Sequence, residues 1–192
     1  MTSKDIKIQI IFIGKPQWEA GWPYLGYDNL HLINLIKEYL IEKFADIGFN
    51  WGELITTYDK ALVETLKESI LKVEGIIIFT IGHYGDPGIV QAGIEFIELK
   101  KPVILANYIY GGDHTFTKIY SNIKDRRYQV FPISSQNIED FDKPISNLIK
   151  LLRLRKKKVL VYASDTIRMN WDVILGLFNP ERKRIRKKYD IE

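Results

Sequence analysis

Gly75-Ile76-Ile77-Ile78-Phe79-Thr80-Ile81 is apolar and β-branched through its centre, with Glu74 before it and Gly82 after it. A run this short and this apolar leaves no polar face for solvent, so it predicts a strand covered on both sides. Strands of that kind belong to parallel sheets with helices above and below. Working outward, the same alternation repeats. Ile6–Ile13 predicts a first strand, alternating at its start and continuously apolar after it. Ile33, Ile36, Leu40, Phe44 and Ile47 then recur at helical spacing, with Asp28 or Asn29 as N-cap and Gly48 as the stop. Trp51–Thr57 predicts a weak second strand, and Leu62, Leu66, Ile70 and Val73 mark the helix after it. Beyond Ile81 come a helix over Ile89–Leu99, a strand over Pro102–Tyr108, a helix over Asp113–Ile123 and a short strand over Gln129–Ile133. Ile145, Leu148, Ile149 and Leu152 mark one more helix. Five successive βα units predict a doubly wound parallel α/β sheet, a flavodoxin-like or Rossmann-like three-layer sandwich with strand order 2-1-3-4-5.

The pattern continues past this unit. Val159–Ala163 predicts a sixth strand with a helix behind it, and the closing Tyr189-Asp190-Ile191-Glu192 reads as the run into another. The expected organisation is therefore a flavodoxin-like domain over 1–155 and the opening of a second α/β domain over 156–192, the chain being a fragment or truncated product. No internal repeat or low-complexity segment occurs.

The chain has 192 residues, 46% hydrophobic and 27% charged, which suits a real core and argues against disorder. It has no Cys, so a disulfide scaffold, a thiolate zinc site and a cysteine nucleophile are excluded. No stretch nears the roughly 18 apolar residues of a membrane span. The polar start, Met1–Lys7, is unlike a secretory signal. A soluble, cytoplasmic protein is the expectation. The net charge of +4 is unevenly spread: residues 1–149 hold 15 Lys/Arg against 19 Asp/Glu, a net of −4, and residues 150–192 hold 13 against 5, a net of +8. The basic runs Lys150–Lys158 and Arg182–Lys188 can bind nucleic acid, but they equally suit a solvated helix end or linker. They lack the aromatic interleaving of single-strand binders, which makes nucleic acid a minor hypothesis.

Ligands of open α/β sheets bind beyond the carboxyl ends of the strands, and that rule selects the loops at 15–28, 82–88 and 107–114 and the Ser134-Ser135-Gln136-Asn137 stretch that ends strand five. The first carries Trp18, Trp22, Tyr24 and Tyr27 beside Glu19 and Asp28. Aromatic faces with carboxylates suit a polyol, the ring meeting C–H surface and the carboxylate accepting from hydroxyls. The same loop equally suits a cover for the sheet edge or a neighbouring subunit, pinned by its own aromatics. His83 precedes Gly85-Asp86-Pro87-Gly88 at a strand-to-helix turn and suits a polar contact, a weaker phosphate contact, or a plain turn. No P-loop and no dinucleotide glycine pattern is present. Asp113 and His114 follow Gly111-Gly112, where Asp113 suits an N-cap and His114 then faces the crevice, with Lys118 one turn on. His31 lies within the first helix and reads as structural or surface. His83, His114, Asp86 and Asp113 are chemically able to hold a metal, yet their spacing follows no ligand motif. Ser134 and Ser135 show no sign of activation, and no nucleophile elbow occurs. No catalytic residue, metal or cofactor is expected in this chain by itself.

Residues 21–30 (GlyTrpProTyrLeuGlyTyrAspAsnLeu), 79–93 (PheThrIleGlyHisTyrGlyAspProGlyIleValGlnAlaGly) and 101–108 (LysProValIleLeuAlaAsnTyr) carry a family resemblance. They resemble the N-terminal region of L-fucose isomerase-like proteins, a group related to the L-arabinose isomerases, over nearly the whole chain. The resemblance implies aldose–ketose isomerisation, Mn²⁺ in the full-length family, a homo-oligomer, and a first domain that helps to wall the sugar site. The metal ligands and catalytic carboxylates of such proteins match nothing here. The expectation is a substrate-recognition and assembly domain with Trp18, Trp22, Asp28, His83, Asn107, Asp113 and His114 as monosaccharide contacts. The alternative is a stand-alone module of regulatory type that binds a sugar or anion in the same crevice.

Overall fold

The computed structural model describes residues 6–15, 27–82, 87–109 and 111–156. Its strands are β1 (Lys7–Ile13), β2 (Gly48–Ile55), β3 (Gly75–Thr80), β4 (Val103–Tyr108) and β5 (Val130–Ser135). The α-helices are α1 (Asn29–Lys43), α2 (Lys60–Leu71), α3 (Pro87–Glu98), α4 (Asp113–Ile123) and α5 (Asp142–Lys156), with a 3-10 turn at Ile138–Phe141. All strand pairings are parallel, in the order β2-β1-β3-β4-β5. This is the expected doubly wound, flavodoxin-like α/β fold. The chain divides into two units, Met1–Ile149 and Lys150–Glu192. Of the second only Lys150–Lys156, the last part of α5, is described, and the expected strand over Val159–Ala163 lies outside the described residues.

Both faces of the sheet are covered, which is why β3 and β4 are buried at every position. On one face Ile11, Ile13, Ile76, Ile78, Val103 and Leu105 pack with Val63, Leu66 and Ile70 of α2, Ala92, Phe96 and Ile97 of α3, and Ile119 and Ile123 of α4. On the other, Phe12 stacks on Phe79 with centroids 5.8 Å apart, and Phe141 meets both Phe79 and Tyr108 at 5.9 Å. Lys37 of α1 lies 5.8 Å from the Phe12 ring. Tyr39 of α1 donates to Asp142 at 2.7 Å, and Lys43 pairs with the same carboxylate at 2.9 Å, tying α5 to α1. Each large side chain removed from water here contributes about 1.5–3 kcal/mol.

Two strands differ from expectation. β2 begins at Gly48, not Trp51, because Gly48 N–H donates to Ile6 C=O as soon as the chain turns back from α1. The helix has already stopped, at Lys43 with Phe44 as its C-cap. Register slips between Ile10 and Phe12, so Gly52 and Glu53 together oppose Ile11, and this bulge breaks the alternation that marks a strand. The buried Gln9 patches the bulge: its Nε2 donates to the carbonyls of Ile10 and Asn50, and its Oε1 accepts from Ser69. β5 extends to Ser135, not Ile133, because Ser135 C=O accepts from Ile109 N–H.

Both sheet edges are guarded. In a parallel ladder alternate residues turn their backbone groups to opposite neighbours. The carbonyls of Gln129 and Ser135 accept from β4 and its following residue, so Val130, Pro132 and Ser134 point away from β4, to the edge of the sheet formed by the described residues. Pro132 thus removes a donor where an incoming strand would pair. At the other edge the β2 bulge does similar work. Pro132→Thr is expected to raise self-association, read by light scattering across a concentration series. Unchanged mass at every concentration would contradict the edge assignment.

A polar cluster joins α2 to α3. Glu95 accepts from Lys67 at 2.5 Å, Tyr58 at 3.0 Å and Gln91 at 3.2 Å, and Lys67 also reaches Glu64 at 2.9 Å. The Lys67 hydrogen bond holds the Glu95 carboxyl below its ordinary value of 4.5, against burial, which acts the other way. A carboxylate depressed in the folded state adds stability above its unfolded pKa and loses it as pH falls through the folded one. Glu95→Gln is therefore expected to cost about 1 kcal/mol at neutral pH, with the deficit closing well below 4.5. Urea unfolding at neutral and strongly acid pH checks this, and an equal deficit at both would contradict it.

Candidate functional site

The carboxyl ends of β1 and β3 meet through backbone, and those of β3 and β4 through the Thr80 hydroxyl, which donates to Ala106 C=O at 3.2 Å. Ile81 N–H donates to Ile13 C=O at 2.6 Å, bringing the two strand ends into contact. A Cβ on Gly14 would stand 1.3 Å from the Ile81 carbonyl oxygen, so only glycine fits there. Gly82 adopts φ +78°, and a Cβ on it would lie 3.2 Å from Lys15 N. Asn29, buried at the start of α1, donates from Nδ2 to Lys15 C=O at 2.7 Å and fixes the chain leaving β1. A Cβ on Gly111 would lie 2.8 Å from the Tyr27 hydroxyl, and one on Gly112 would lie 2.5 Å from the Thr80 carbonyl. The result is a floor of buried glycines, with Asn29 packed against Gly82 and Tyr27 against Gly111, at the point where strand order reverses, the place where doubly wound sheets take their ligands.

Beside this floor stands a polar group built on Asn107, the buried residue near the end of β4. Its Oδ1 accepts from Gly112 N–H at 3.1 Å, with Thr80 Oγ1 at 3.5 Å. Its Nδ2 donates to Ser134 Oγ at 2.9 Å and to an Asp113 carboxylate oxygen. Every hydrogen-bonding site of the Asn107 amide is thus engaged within the protein. Asp113 is half-buried and Ser134 exposed, so both reach solvent from this fixed support.

Asp113 is the first helical residue of α4, and Gly112 is the N-cap. This corrects the expectation of Asp113 as the cap: its carboxylate turns to Asn107 instead, while remaining in the first turn, where negative charge is favoured. His114, next in α4, is half-buried. Asp28 is the N-cap of α1, its Oδ1 accepting from His31 N–H at 2.9 Å, and that bond accounts for its place at the end of the first loop. Tyr27 is 2% exposed, so of the loop's aromatics this one packs inward and offers no ring face to a ligand. Trp18, Trp22 and His83 lie outside the described residues, as does Asp86. The structure therefore brings Asn107 and Asp113 together, with His114 adjacent, and sets Asp28 at a separate helix start.

Ser134 falls at the carboxyl end of strand five as the sequence places it, but two contributors, Thr80 and Ile109, escaped the sequence. Thr80 breaks an otherwise apolar strand, and that interruption was its one signal. Ile109 has φ +57°, a left-handed conformation that a β-branched side chain resists. It turns the chain out of β4 so that Gly111 and Gly112 fold back over Tyr27 and Thr80. Ile109→Gly is expected to stabilise the fold by about 0.5–1 kcal/mol, the relieved strain exceeding the entropy added to the unfolded chain. Guanidinium unfolding checks this, and a loss of stability would contradict it.

Among the described residues no three His, Asp or Glu side chains gather in a way that could hold a metal ion. The described residues thus do not fit the Mn²⁺ that the family resemblance implies, and none is assigned to it. None of the described helices is long and apolar enough to cross a membrane.

No family model matches the chain, and no curated protein matches it. Among solved structures, the glutaminase domain of Trypanosoma brucei CTPS with bound acivicin aligns at a TM-score of 0.34 and 15% identity, over 66% of this chain and 50% of that one. A GH3 exo-beta-xylosidase in complex with a xylobiose aziridine activity-based probe aligns at 0.32 and 17% identity, over 57% of this chain and 16% of that one. The alignments thus span half of the first protein's length and a small part of the second's. Likeness at this level carries no argument about activity.

Proposed function

We propose that this chain is the sugar-recognition and assembly region of an L-fucose isomerase-like aldose–ketose isomerase, and that a monosaccharide sits over the carboxyl ends of β1, β3, β4 and β5. The observation that supports the reading is the Asn107–Asp113–Ser134 group beside the glycine floor. A carboxylate and a hydroxyl on a rigid support suit hydroxyl ligands. The Asp113 carboxylate also occupies the first turn of α4, where an anion would otherwise bind, and this turns the site from phosphate toward neutral polyols. In this reading the chain orients the sugar and joins a homo-oligomer through surfaces other than its guarded sheet edges. The proton transfer of the isomerisation is assigned to none of its residues. A cytoplasmic setting belongs to the same reading.

A second reading, a self-contained sugar- or anion-binding module, draws support from the five strands among the described residues, with Pro132 on one outer strand and the bulge on the other. Titration calorimetry of the chain against L-fucose, L-arabinose, other aldoses and inorganic phosphate tests both. The isomerase-domain reading expects binding of aldoses and none of phosphate. Phosphate alone would favour an anion module, and heat from neither would overturn the sugar reading.

A further inference from the structure

The polar group at the end of β4 has more definite chemistry than a general affinity for hydroxyls. One amide nitrogen, Asn107 Nδ2, donates to both Ser134 Oγ and an Asp113 carboxylate oxygen. Its two N–H bonds diverge by about 120°, which sets the two acceptors roughly 5 Å apart. That spacing brackets two hydroxyls on neighbouring carbons, whose oxygens lie about 3 Å apart, each forming one hydrogen bond of normal length. The two groups differ in kind. Asp113 accepts only, while Ser134 donates or accepts, because its oxygen takes the Asn107 N–H and its own hydrogen stays free to turn. Asn107 itself is fully engaged and buried, so it touches no ligand. It fixes the distance between the two groups that do.

We infer that Asp113 and Ser134 form a two-point grip for a vicinal diol, with Asn107 as its positioning residue. This rests on the carboxyl end of the sheet being a sugar site, and it names which part of the sugar is held there and by which residues. One hydroxyl of the diol donates to the Asp113 carboxylate. The neighbouring hydroxyl exchanges a hydrogen bond with Ser134, and no bond is made or broken in the sugar. A lone alcohol meets only one of the two groups. A phosphorylated carbon at either position brings a dianion against Asp113 and is rejected.

The test is a titration of the full chain with L-fucose and with its monodeoxy analogues, for the parent protein, Asp113→Asn and Ser134→Ala. Both replaced side chains reach solvent, and circular dichroism confirms that each variant is folded. The grip predicts about tenfold weaker L-fucose binding for Asp113→Asn and about fivefold for Ser134→Ala. It also predicts one deoxy analogue that binds the parent as weakly as the variants bind L-fucose, and that loses little further in Ser134→Ala. Unchanged L-fucose affinity in either variant overturns the grip while leaving the sugar site standing. Binding of every deoxy analogue as tightly as L-fucose overturns it in the same way. Failure of the parent protein to bind L-fucose or any other aldose overturns the grip together with the reading beneath it.

Discussion

Gly14→Ala is expected to leave little folded protein, with a stability loss of about 4 kcal/mol or more. The added methyl would be centred 1.3 Å from the carbonyl oxygen of Ile81, and the obstacle is backbone, not a side chain that can rotate away. Relief would require β1 and β3 to part at their carboxyl ends. That breaks the 2.6 Å bond from Ile81 N–H to Ile13 C=O and presses Gly14 toward β2, whose Ile55 C=O accepts from Gly14 N–H at 3.0 Å. These strands are central in the sheet, so the damage reaches both helical layers. Thermal unfolding followed by circular dichroism measures the effect. Ala at Gly88, a half-buried position in the first turn of α3, serves as a control expected to stay near the parent. A Gly14→Ala protein with unaltered midpoint would show that the strand ends do not meet as described.

Asn107→Leu is expected to cost about 3 kcal/mol, although the two side chains have similar shape. Leucine leaves the Gly112 N–H without its acceptor in a buried place and frees Asp113 and Ser134 from their common donor. The loss is that of unmet polar groups rather than of packing, since the β4 core around Ile104, Leu105 and Ala106 is untouched. Asn107→Asp separates the two roles of the amide. It keeps an oxygen for Gly112 N–H but sets a second carboxylate against Asp113. Like charges at this distance raise the pKa of the pair in the folded state. Stability is then retained at low pH and lost as pH rises through that raised value. Chemical unfolding of both variants over a pH series checks this: Asn107→Leu keeps a steady deficit, while Asn107→Asp worsens from acid to neutral pH. A flat profile for Asn107→Asp would mean that Asp113 does not share the Asn107 amide.

The layers of this fold were legible because local chemistry and burial agree. Continuous Ile and Phe in β3 and β4 needs cover on both faces, and α4 begins and ends where its periodicity says, at Asp113 and Ile123. β2 was misplaced because its bulge at Gly52 breaks alternation, and a bulge is set by the partner strand's register, which no local window contains. The site divided in the same way. Asn107 and Asp113 were visible as polar residues at a strand end and a helix start. Their hydrogen bond was not, because it depends on the turn at Ile109, where an isoleucine occupies a conformation that glycine usually signals. Ser134 reached the site only through the pairing of Asn107 with Ser134 across β4 and β5. Gly14 carried no sign of its role either, since contact with Ile81 arises from the alignment of β1 on β3. Tyr27 was open to two readings, a ligand platform or an aromatic that pins its own loop, and its burial suits the second.

The central claim is that a monosaccharide binds over the carboxyl ends of the strands, and amide shift mapping tests it most directly. Titrating the ¹⁵N-labelled chain with L-fucose should move the amides of Gly14, Lys15, Gly82, Gly111, Gly112, Asp113, His114 and Ser134. Those at the opposite end of the sheet, around Lys7, Glu74 and Lys101, should stay in place. Shifts confined to the opposite end or to the outer faces of the helices, or a spectrum unmoved at saturating sugar, would contradict the account.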